Sequence, residues 1–220
     1  MTPPRRFDLV VFDWDGTLFD STRLIARCIQ QACADVGTAV PHDRDASFVI
    51  GLGLADALAH AAPGLAKERY RELAERYRFH YLASLDDIVL FDGTLEMLHA
   101  LKARNVRLGV ATGKNRKGLD DALASSALHG LFDATRTADE TRGKPDPRML
   151  IEIMRELGTP PSRTLMVGDT THDLQLAANA GCASVAVSFG AHSPEEFTGH
   201  RPLHVAHSTA ELDDWLQHHG

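Results

Sequence analysis

Short apolar segments alternate with amphipathic helical patterns through the C-terminal part of this 220-residue chain. Few classes of fold are compatible with this alternation. Strands that alternate with helices form a mostly parallel sheet covered by helices on both faces. The N-terminal segment Asp8–Phe12 is nearly all apolar, which is typical of a strand buried on both faces. Further strands are predicted at "VRLGVAT" (106–112), "FDATRTA" (132–138), "RTLMVGD" (163–169), "ASVAVSFG" (183–190) and "LHVAH" (203–207).

A long segment between the first predicted strand and the alternating region has no strand pattern. Between Phe19 and Ile88 the apolar residues keep helical spacing, as in "DSTRLIARCIQQACADVG" and "KERYRELAERYRFHYLASL". The pattern predicts an all-helical cap domain over residues 19–91, inserted into a core formed by residues 1–18 and 92–220. We therefore expect an α/β protein with a doubly wound, Rossmann-like parallel sheet and an inserted helical cap.

Charge, hydropathy and cysteine content narrow the possible partners and the location. The net charge of −7 argues against a broad nucleic-acid surface, and no apolar run is long enough to span a bilayer. Three scattered cysteines are too few for a disulfide framework or a zinc cluster. The start of the chain, "MTPPRRFDL", lacks the apolar core of a signal peptide. We expect a reduced, cytoplasmic monomer or homodimer that acts on a small molecule and has no nucleic-acid or membrane partner.

Carboxylate, hydroxyl and lysine side chains follow several of the predicted strands. Ligands of doubly wound sheets bind at the carboxyl ends of the strands, so these side chains should meet at one rim. Carboxylate oxygens without cysteine or an organised histidine set suit a hard cation such as Mg²⁺, which commonly accompanies a substrate phosphate. Lysine and hydroxyl donors would complete a phosphate site. The residues at this predicted rim are Asp13, Asp15, Thr112, Gly113, Lys114, Lys144, Asp169 and Asp173.

The two aspartates directly after the first strand suggest a reaction. Asp13, at the strand end, can attack phosphorus and carry the phosphoryl group as an aspartyl phosphate. Asp15 can protonate the leaving alcohol and later deprotonate water. Gly16 would let the backbone turn closely around the phosphate. Phosphoryl transfer is therefore the predicted chemistry.

Some of these residues also have a purely structural interpretation. Thr112 either caps the helix after it or binds phosphate, and Asp173 can stabilise a helix N-terminus as well as a metal site. Lys114 and Asn115 begin a basic cluster, "KNRK", that either contacts an acidic substrate or is the polar start of a helix. Both interpretations stay open at the level of sequence.

Three features outside the rim are assigned with less support. His172 is expected to be an exposed residue of a first helical turn. Tyrosines at helical spacing are expected to pack inside the cap rather than to bind a ligand; they are Tyr70, Tyr77 and Tyr81. The "GLGL" loop, Gly51–Leu54, either reaches over the site or only breaks a helix.

Four segments resemble the motifs of the haloacid dehalogenase superfamily of phosphotransferases, in the family's order. They are "DWDGTL", "ATG", "GKPDP" and "GDTTHD", and the resemblance spans nearly the whole chain. It implies that Asp13 is the nucleophile and Asp15 the acid and base. The helical insert matches the position of the family's cap, which closes over the substrate.

The resemblance also implies ligands for the phosphate and for a Mg²⁺ cofactor. Thr112 and Lys144 would hold phosphoryl oxygens, with Gly16 and Gly113 in the same phosphate-binding loops. The Mg²⁺ ligands would be Asp13, the backbone carbonyl of Asp15 and Asp169, with Asp173 supporting the metal site or Lys144. Lys114 and Asn115 are the possible contacts to the rest of the substrate.

The predicted function is a Mg²⁺-dependent phosphatase that hydrolyses a small phosphorylated metabolite through an aspartyl phosphate. The segments "DGTLFDS" and "ATGKNRKGLD" look most like phosphoglycolate phosphatases, which makes 2-phosphoglycolate the leading substrate. A phosphomutase similar to β-phosphoglucomutase and a pyrophosphatase are alternatives on the same scaffold. A receiver-type phosphoacceptor domain is the non-enzymatic alternative, but it would carry its phosphoacceptor on a mid-chain strand and would have no helical lid.

Overall fold

A parallel sheet of six strands forms the centre of the computed structural model, which describes residues 6–85, 88–124 and 127–219. The strand order is β5-β4-β1-β6-β7-β8, and all five neighbouring pairs are parallel. The strands are β1 Leu9–Phe12, β4 Arg107–Thr112, β5 Ala134–Thr137, β6 Thr164–Gly168, β7 Ala183–Val187 and β8 Val205–Ala206. Residues 1–5, which belong to the predicted core and to the signal-peptide argument, lie outside the described residues.

Alternating residues of β1 enter two apolar clusters on opposite faces of the sheet. Val10 and Phe12 face one cluster, and Leu9 and Val11 face the other. The first cluster is completed by α5 Thr94–Ala103, α6 Arg116–Ala124 and α9 Thr209–His219, and the second by α7 Arg148–Glu156 and α8 Thr171–Ala180. Helices therefore cover both faces, and the predicted doubly wound α/β fold is confirmed.

Four helices between β1 and the rest of the sheet share a separate apolar cluster. We call this segment, residues 22–82, the cap. Its buried side chains include Ile25 and Ile29 of α1 and Leu73 of α4. The helices are α1 Thr22–Asp35, α2 Asp43–Phe48, α3 Leu54–Ala61 and α4 Tyr70–Leu82. The division into residues 19–91 and the two core segments stays a prediction. Within the described ranges, every helix is too short or too polar to cross a membrane.

A two-stranded antiparallel ribbon joins the cap to the sheet. It pairs β2, Phe19–Asp20, with β3, Val89–Leu90, and the N–H of Phe91 donates to the carbonyl of Leu18 at 3.0 Å. The expectation of no strand between Phe19 and Ile88 is therefore wrong at β2. Strands of two residues are too short to show alternation, and their partners lie about seventy positions apart in sequence.

The central strand β1 lies where the chain reverses its direction of winding. From β1 the chain builds outward through β4 to β5, and it then returns to β6 on the other side of β1. Loops on the two sides of such a reversal point diverge and leave a crevice at the carboxyl ends of the strands. The residues that follow β1, β4 and β6 therefore surround one crevice beneath the cap.

Candidate active site

A buried ion-pair cluster lies directly beyond β1. Asp13 is 1% exposed, and its N–H donates to the carbonyl of Val167 in the neighbouring strand at 2.9 Å. Lys144 Nζ, on the loop after β5, lies 2.7 Å from Asp13 Oδ1 and 2.7 Å from Asp173 Oδ1. Burial lowers the pKa of Lys144, but the two carboxylates outweigh burial and raise that pKa above its usual value. One buried lysine therefore pairs with two buried aspartates.

Asp169 and Asp173 come from the end of β6 and the first turn of α8. Asp169 Oδ1 accepts a hydrogen bond from Thr17 Oγ1 at 2.8 Å, and its Oδ2 accepts one from the N–H of Ala191 at 2.7 Å. Asp173 Oδ2 accepts from the N–H of Thr170 at 3.1 Å and from Thr170 Oγ1 at 2.7 Å. Asp173 is thus oriented by its own loop, whereas Asp169 is oriented by residues that follow β1 and β7.

Three buried carboxylates at one point have the character of a cation site. Oxygens of Asp13, Asp169 and Asp173 lie within 4.8 Å of one another. Burial, reinforced by the neighbouring negative charges, raises the pKa of Asp13 well above its usual value and that of Asp169 to about 7. Asp13 Oδ2 has no hydrogen-bond partner among the described residues. An all-oxygen donor set with excess negative charge and an unpartnered oxygen fits Mg²⁺. The predicted Asp15 carbonyl ligand stays a prediction.

Asp15 lies at the boundary between the core and the cap. Ser21 Oγ donates to Asp15 Oδ1 at 2.8 Å, and Lys114 Nζ lies 3.0 Å from Asp15 Oδ2. Lys114 Nζ also donates to Tyr81 Oη of α4 at 2.7 Å and lies 5.0 Å from the centre of the Tyr81 ring. Burial lowers the pKa of Lys114, but the charge of Asp15 outweighs it and raises the pKa. Lys114 is therefore a cation shared between Asp15 and the cap.

Gly16 has both a conformational and a steric reason to be glycine. Its φ is +84°, in the left-handed region that favours glycine, and its N–H donates to the carbonyl of Phe19 at 2.8 Å. A Cβ at this position would overlap Oδ2 of Asp169. The sharp turn predicted after Asp15 is present, whereas its contact with phosphate stays a prediction.

The end of β4 brings Thr112 and Gly113 to the same crevice. Thr112 is 1% exposed, and its Oγ1 accepts a hydrogen bond from the N–H of Lys114 at 3.2 Å. A Cβ on Gly113 would overlap the carbonyl oxygens of Gly51 and Leu52, so the cap backbone packs directly on this glycine. The "GLGL" loop thus reaches over the rim, as one of its two interpretations required. Phosphate binding by Thr112 and Gly113 stays a prediction.

The rest of the predicted basic cluster points elsewhere. Asn115 is exposed, and its Oδ1 accepts from the N–H of Gly118 at 2.8 Å, so it caps α6. Arg116 Nη2 lies 2.6 Å from Glu140 Oε2, and the exposed Lys117 pairs with Asp121. Only Lys114 of this cluster is directed to Asp15, and a substrate contact by Asn115 stays a prediction.

The boundary between the core and the cap also contains residues that were not predicted to belong to the site. Thr17 donates a hydrogen bond to Asp169, and Ser21 donates one to Asp15. Thr17 lies within the "DWDGTL" motif and Ser21 lies just after it, so their position could have indicated a role in the site. His172 was expected to be exposed, but it is half-buried, and burial lowers its pKa. Nε2 of His172 and Nε2 of His192 lie 2.8 and 3.0 Å from the carbonyl oxygen of Phe48 in the cap. Separation along the chain concealed that contact.

The fold and this cluster together define a class of enzyme. A central parallel strand presents a buried aspartate to a lysine and to two further aspartates, and a helical cap covers the crevice. Such a site can hold a divalent cation and a phosphate beside a carboxylate nucleophile.

The sequence model of the haloacid dehalogenase-like hydrolase family matches residues 10–187, so the chain belongs to this family. A protein of Dickeya dadantii named "Probable phosphatase IndB" is 32% identical over 93% of this chain and 91% of its own. A phosphoglycolate phosphatase of Vibrio vulnificus is 31% identical over 94% of each chain. The pyrophosphatase PpaX of Halalkalibacterium halodurans is 29% identical over 93% of this chain and 94% of its own.

A solved structure extends the similarity to three dimensions. A haloacid dehalogenase-like protein from Bacteroides fragilis superposes with a TM-score of 0.86 at 25% identity, covering 94% of this chain and 99% of its own. The predicted family and the predicted α/β fold are both confirmed. The chain is a hydrolase of this family, and the phosphatase names of its relatives agree with the predicted phosphoric monoester hydrolase.

Proposed function

We propose that this protein is a Mg²⁺-dependent phosphatase in which Asp13 is the nucleophile. One observation carries the proposal: a fully buried carboxylate at the carboxyl end of the central strand keeps one oxygen without a hydrogen-bond partner among the described residues. The other oxygen of the same carboxylate lies 2.7 Å from a buried lysine. The oxygen without a partner keeps its lone pairs available to attack phosphorus, while the lysine bound to the other oxygen favours the ionised carboxylate.

The reaction proceeds in two displacements. An oxygen of Asp13 forms a bond to phosphorus while the ester bond breaks, and the leaving oxygen takes a proton from Asp15. Asp15 then accepts a proton from water, whose oxygen attacks phosphorus and breaks the bond to Asp13. Inorganic phosphate leaves, and both aspartates return to their starting state. Ser21 and Lys114 hold the Asp15 carboxylate toward the crevice throughout.

Mg²⁺ would be held by Asp13 and Asp169, with Asp173 beside it, because these carboxylates converge in a buried space. When bound, the cation supplies positive charge that offsets the repulsion between phosphate and carboxylates. Lys144 stays between Asp13 and Asp173 and supplies further positive charge at the nucleophile. Thr112 and Gly113 are the proposed phosphate contacts from β4.

The proposed substrate is a small phosphorylated metabolite, with 2-phosphoglycolate as the leading candidate. The name of the Vibrio vulnificus relative supports it, and the cap loop packs against the rim at Gly113. Pyrophosphate is the second candidate, because the Halalkalibacterium halodurans relative is named a pyrophosphatase. A cytoplasmic location and a monomeric or homodimeric state are part of the same proposal.

The test of the nucleophile is Asp13→Asn. We expect the variant to fold and to lose at least about 10³-fold in kcat with p-nitrophenyl phosphate and Mg²⁺, because the amide cannot form the covalent intermediate. Asp20→Asn, at an exposed aspartate seven residues along, is the matched control and should keep full activity. Activity near the wild-type level in Asp13→Asn, with the fold verified by circular dichroism, would eliminate the proposed mechanism.

A panel of substrates distinguishes the remaining activities. Release of inorganic phosphate from 2-phosphoglycolate, pyrophosphate and sugar phosphates gives kcat/KM for each, and this ranks them by transition-state binding. A phosphomutase would convert one sugar phosphate into its isomer without releasing phosphate. Isomer formation that exceeds phosphate release would replace the proposed hydrolysis by that activity.

A further inference from the structure

A small polar cluster joins the acid/base residue to the cap. It consists of Asp15, Lys114 and Tyr81, with Lys114 Nζ 3.0 Å from Asp15 Oδ2 and 2.7 Å from Tyr81 Oη. The side chains of Lys114 and Asp15 are only 12% and 11% exposed. Tyr77 stacks on Tyr81 at 5.8 Å between ring centres and supports it from within the cap. Lys114 contacts Asp15 directly and Tyr81 contacts Lys114, so both lie beside the residue proposed to protonate the leaving group.

The position of Asp15 fixes where the leaving group passes. An acid that protonates the leaving oxygen must lie within hydrogen-bond distance of it. Atoms attached to that oxygen then lie one or two bond lengths further on, beside Lys114. A substituent on the leaving group would therefore come within reach of Lys114 and of the cap residue Tyr81.

Both side chains keep a hydrogen-bond donor for such a substituent. An ammonium group has three N–H donors, and within the described part of the chain Lys114 directs them at two partners, Asp15 Oδ2 and Tyr81 Oη. Tyr81 Oη accepts from Lys114, so its own O–H remains available to donate. One N–H and one O–H, set 2.7 Å apart by their heavy atoms, match the two oxygens of a carboxylate or two oxygens of a phosphate.

The charge of Lys114 gives this pair a reason to prefer an anion. A hydrogen bond from an ammonium group to an anionic oxygen is charge-assisted and stronger than one to a neutral hydroxyl.

We infer that Lys114 and Tyr81 form a receptor for a carboxylate or phosphate on the leaving group, and that this receptor selects substrates whose leaving group is anionic. The inference rests on the proposed function and deepens it. It unites 2-phosphoglycolate and pyrophosphate, because each leaves behind an oxyanion close to the broken bond. It also gives the cap a chemical task, since Tyr81 belongs to the cap helix α4.

The experiment compares two substrates of nearly the same shape. 2-Phosphoglycolate carries a carboxylate where 2-hydroxyethyl phosphate carries a neutral CH₂OH group. The ratio of their kcat/KM values is measured for the wild type, Lys114→Met, Tyr81→Phe and the control Lys117→Met, which changes an exposed lysine three residues along. Pyrophosphate is measured in parallel, so that a receptor for phosphate is distinguished from one for carboxylate.

We expect the wild type to prefer 2-phosphoglycolate or pyrophosphate, and Lys114→Met to reduce that preference by about 10- to 100-fold, the equivalent of a lost charged hydrogen bond. Tyr81→Phe should reduce it by a smaller factor, and Lys117→Met should leave it unchanged. An equal loss with both members of the substrate pair in Lys114→Met would overturn the inference, since Lys114 would then act only through Asp15.

The outcome also separates this inference from the proposed function. Asp13-dependent hydrolysis with no preference for an anionic leaving group would leave the phosphatase proposal standing and reject the receptor. Absence of any phosphate release by the wild type would reject the phosphatase proposal itself. Should Lys114→Met fail to fold, the ratio in Tyr81→Phe decides, because that change removes one hydroxyl from a half-buried side chain and leaves the ring in place.

Discussion

Lys144 provides the positive charge that balances the buried aspartates Asp13 and Asp173. It is fully buried between Asp13 and Asp173, so its removal would leave two buried carboxylates without a counter-charge. We expect Lys144→Met to lower the free energy of unfolding by about 3–5 kcal/mol, measured by urea denaturation. Lys102→Met is the control, because Lys102 pairs with Asp133 at a partly exposed position, and the loss there should be about 1 kcal/mol or less. Equal stability of Lys144→Met and the wild type would contradict this account.

The raised pKa of Asp169 predicts a pH-dependent effect of the metal. Burial and Asp173 raise the pKa of Asp169 in the folded chain from 3.8 to about 7. Between these values the folded state binds more protons than the unfolded state. The contribution of this group to stability is therefore complete below the lower value and is lost as pH rises through the higher one.

A divalent cation competes with that proton, so its benefit should grow with pH. We expect Mg²⁺ to raise the Tm more at about pH 8 than at about pH 5.5, relative to EDTA at the same pH. Differential scanning fluorimetry at the two pH values measures this, and Asp169→Asn should show a smaller shift at both. A Tm shift that is the same at both pH values would rule out Asp169 as a titrating ligand.

At the residue scale, the sequence could predict the side chains that follow strands and little else. Asp13 and Asp169 could be assigned because neighbouring parallel strands end at one rim. Tyr81 could not, because tyrosines at helical spacing give the same pattern whether they pack or bind. Tyr77 and Tyr81 stack on each other and pack against the apolar cluster of the cap, and Tyr81 also accepts a hydrogen bond from Lys114. Which member of such a stripe faces another part of the chain is a tertiary property.

At the scale of single elements, the start of α8 couples helix stability to the site. Thr170 accepts a hydrogen bond from the N–H of Asp173 at 3.4 Å, and its hydroxyl donates to Asp173 Oδ2. We expect Thr170→Ala to lower the free energy of unfolding by about 1–2 kcal/mol, and to reduce kcat because Asp173 keeps only the backbone hydrogen bond from residue 170 and is held less firmly toward Lys144. Thr170→Ser should restore both quantities. Failure of the serine variant to restore them would mean that the threonine methyl group, and not the hydroxyl, matters.

The strands and helices of the sheet were predictable because their apolar patterns are long. The segments that form β4 and β6 are mostly apolar, and every residue in them is buried except Arg107 at the start of β4, so sequence and burial agree. The ribbon of β2 and β3 was not predictable, because two residues carry no periodicity and Asp20 and Val89 are exposed. Its formation depends on the cap returning the chain to its starting point.

At the scale of the whole molecule, the cap touches the rim through its backbone as well as its side chains. The carbonyls of Gly51 and Leu52 lie against Gly113, where a Cβ would collide with them. We expect Gly113→Ala to displace the closed cap and to lower kcat/KM by about 10- to 100-fold, while Tm changes little because the cap keeps its own apolar cluster.

The matched control for that change is Gly64→Ala in the cap, where a Cβ would meet no other atom. Gly64→Ala should have the same kcat/KM and the same Tm as the wild type. Equal activity of Gly113→Ala and the wild type would show that the cap does not need this close approach during turnover. A large drop in Tm would instead show that closure contributes to folding stability.

The hydrogen bond between Phe91 and Leu18 means that the whole cap departs from the sheet and returns to it within one backbone contact. A single splice across that contact would delete the cap without moving a strand of the sheet. Under the proposed function, the sheet would carry the chemistry and the cap would control the admission of substrate. Replacement of the cap by an insert of different shape would direct the same reaction to different substrates. Complete loss of the cap would expose the aspartates to phosphate groups on molecules as large as proteins.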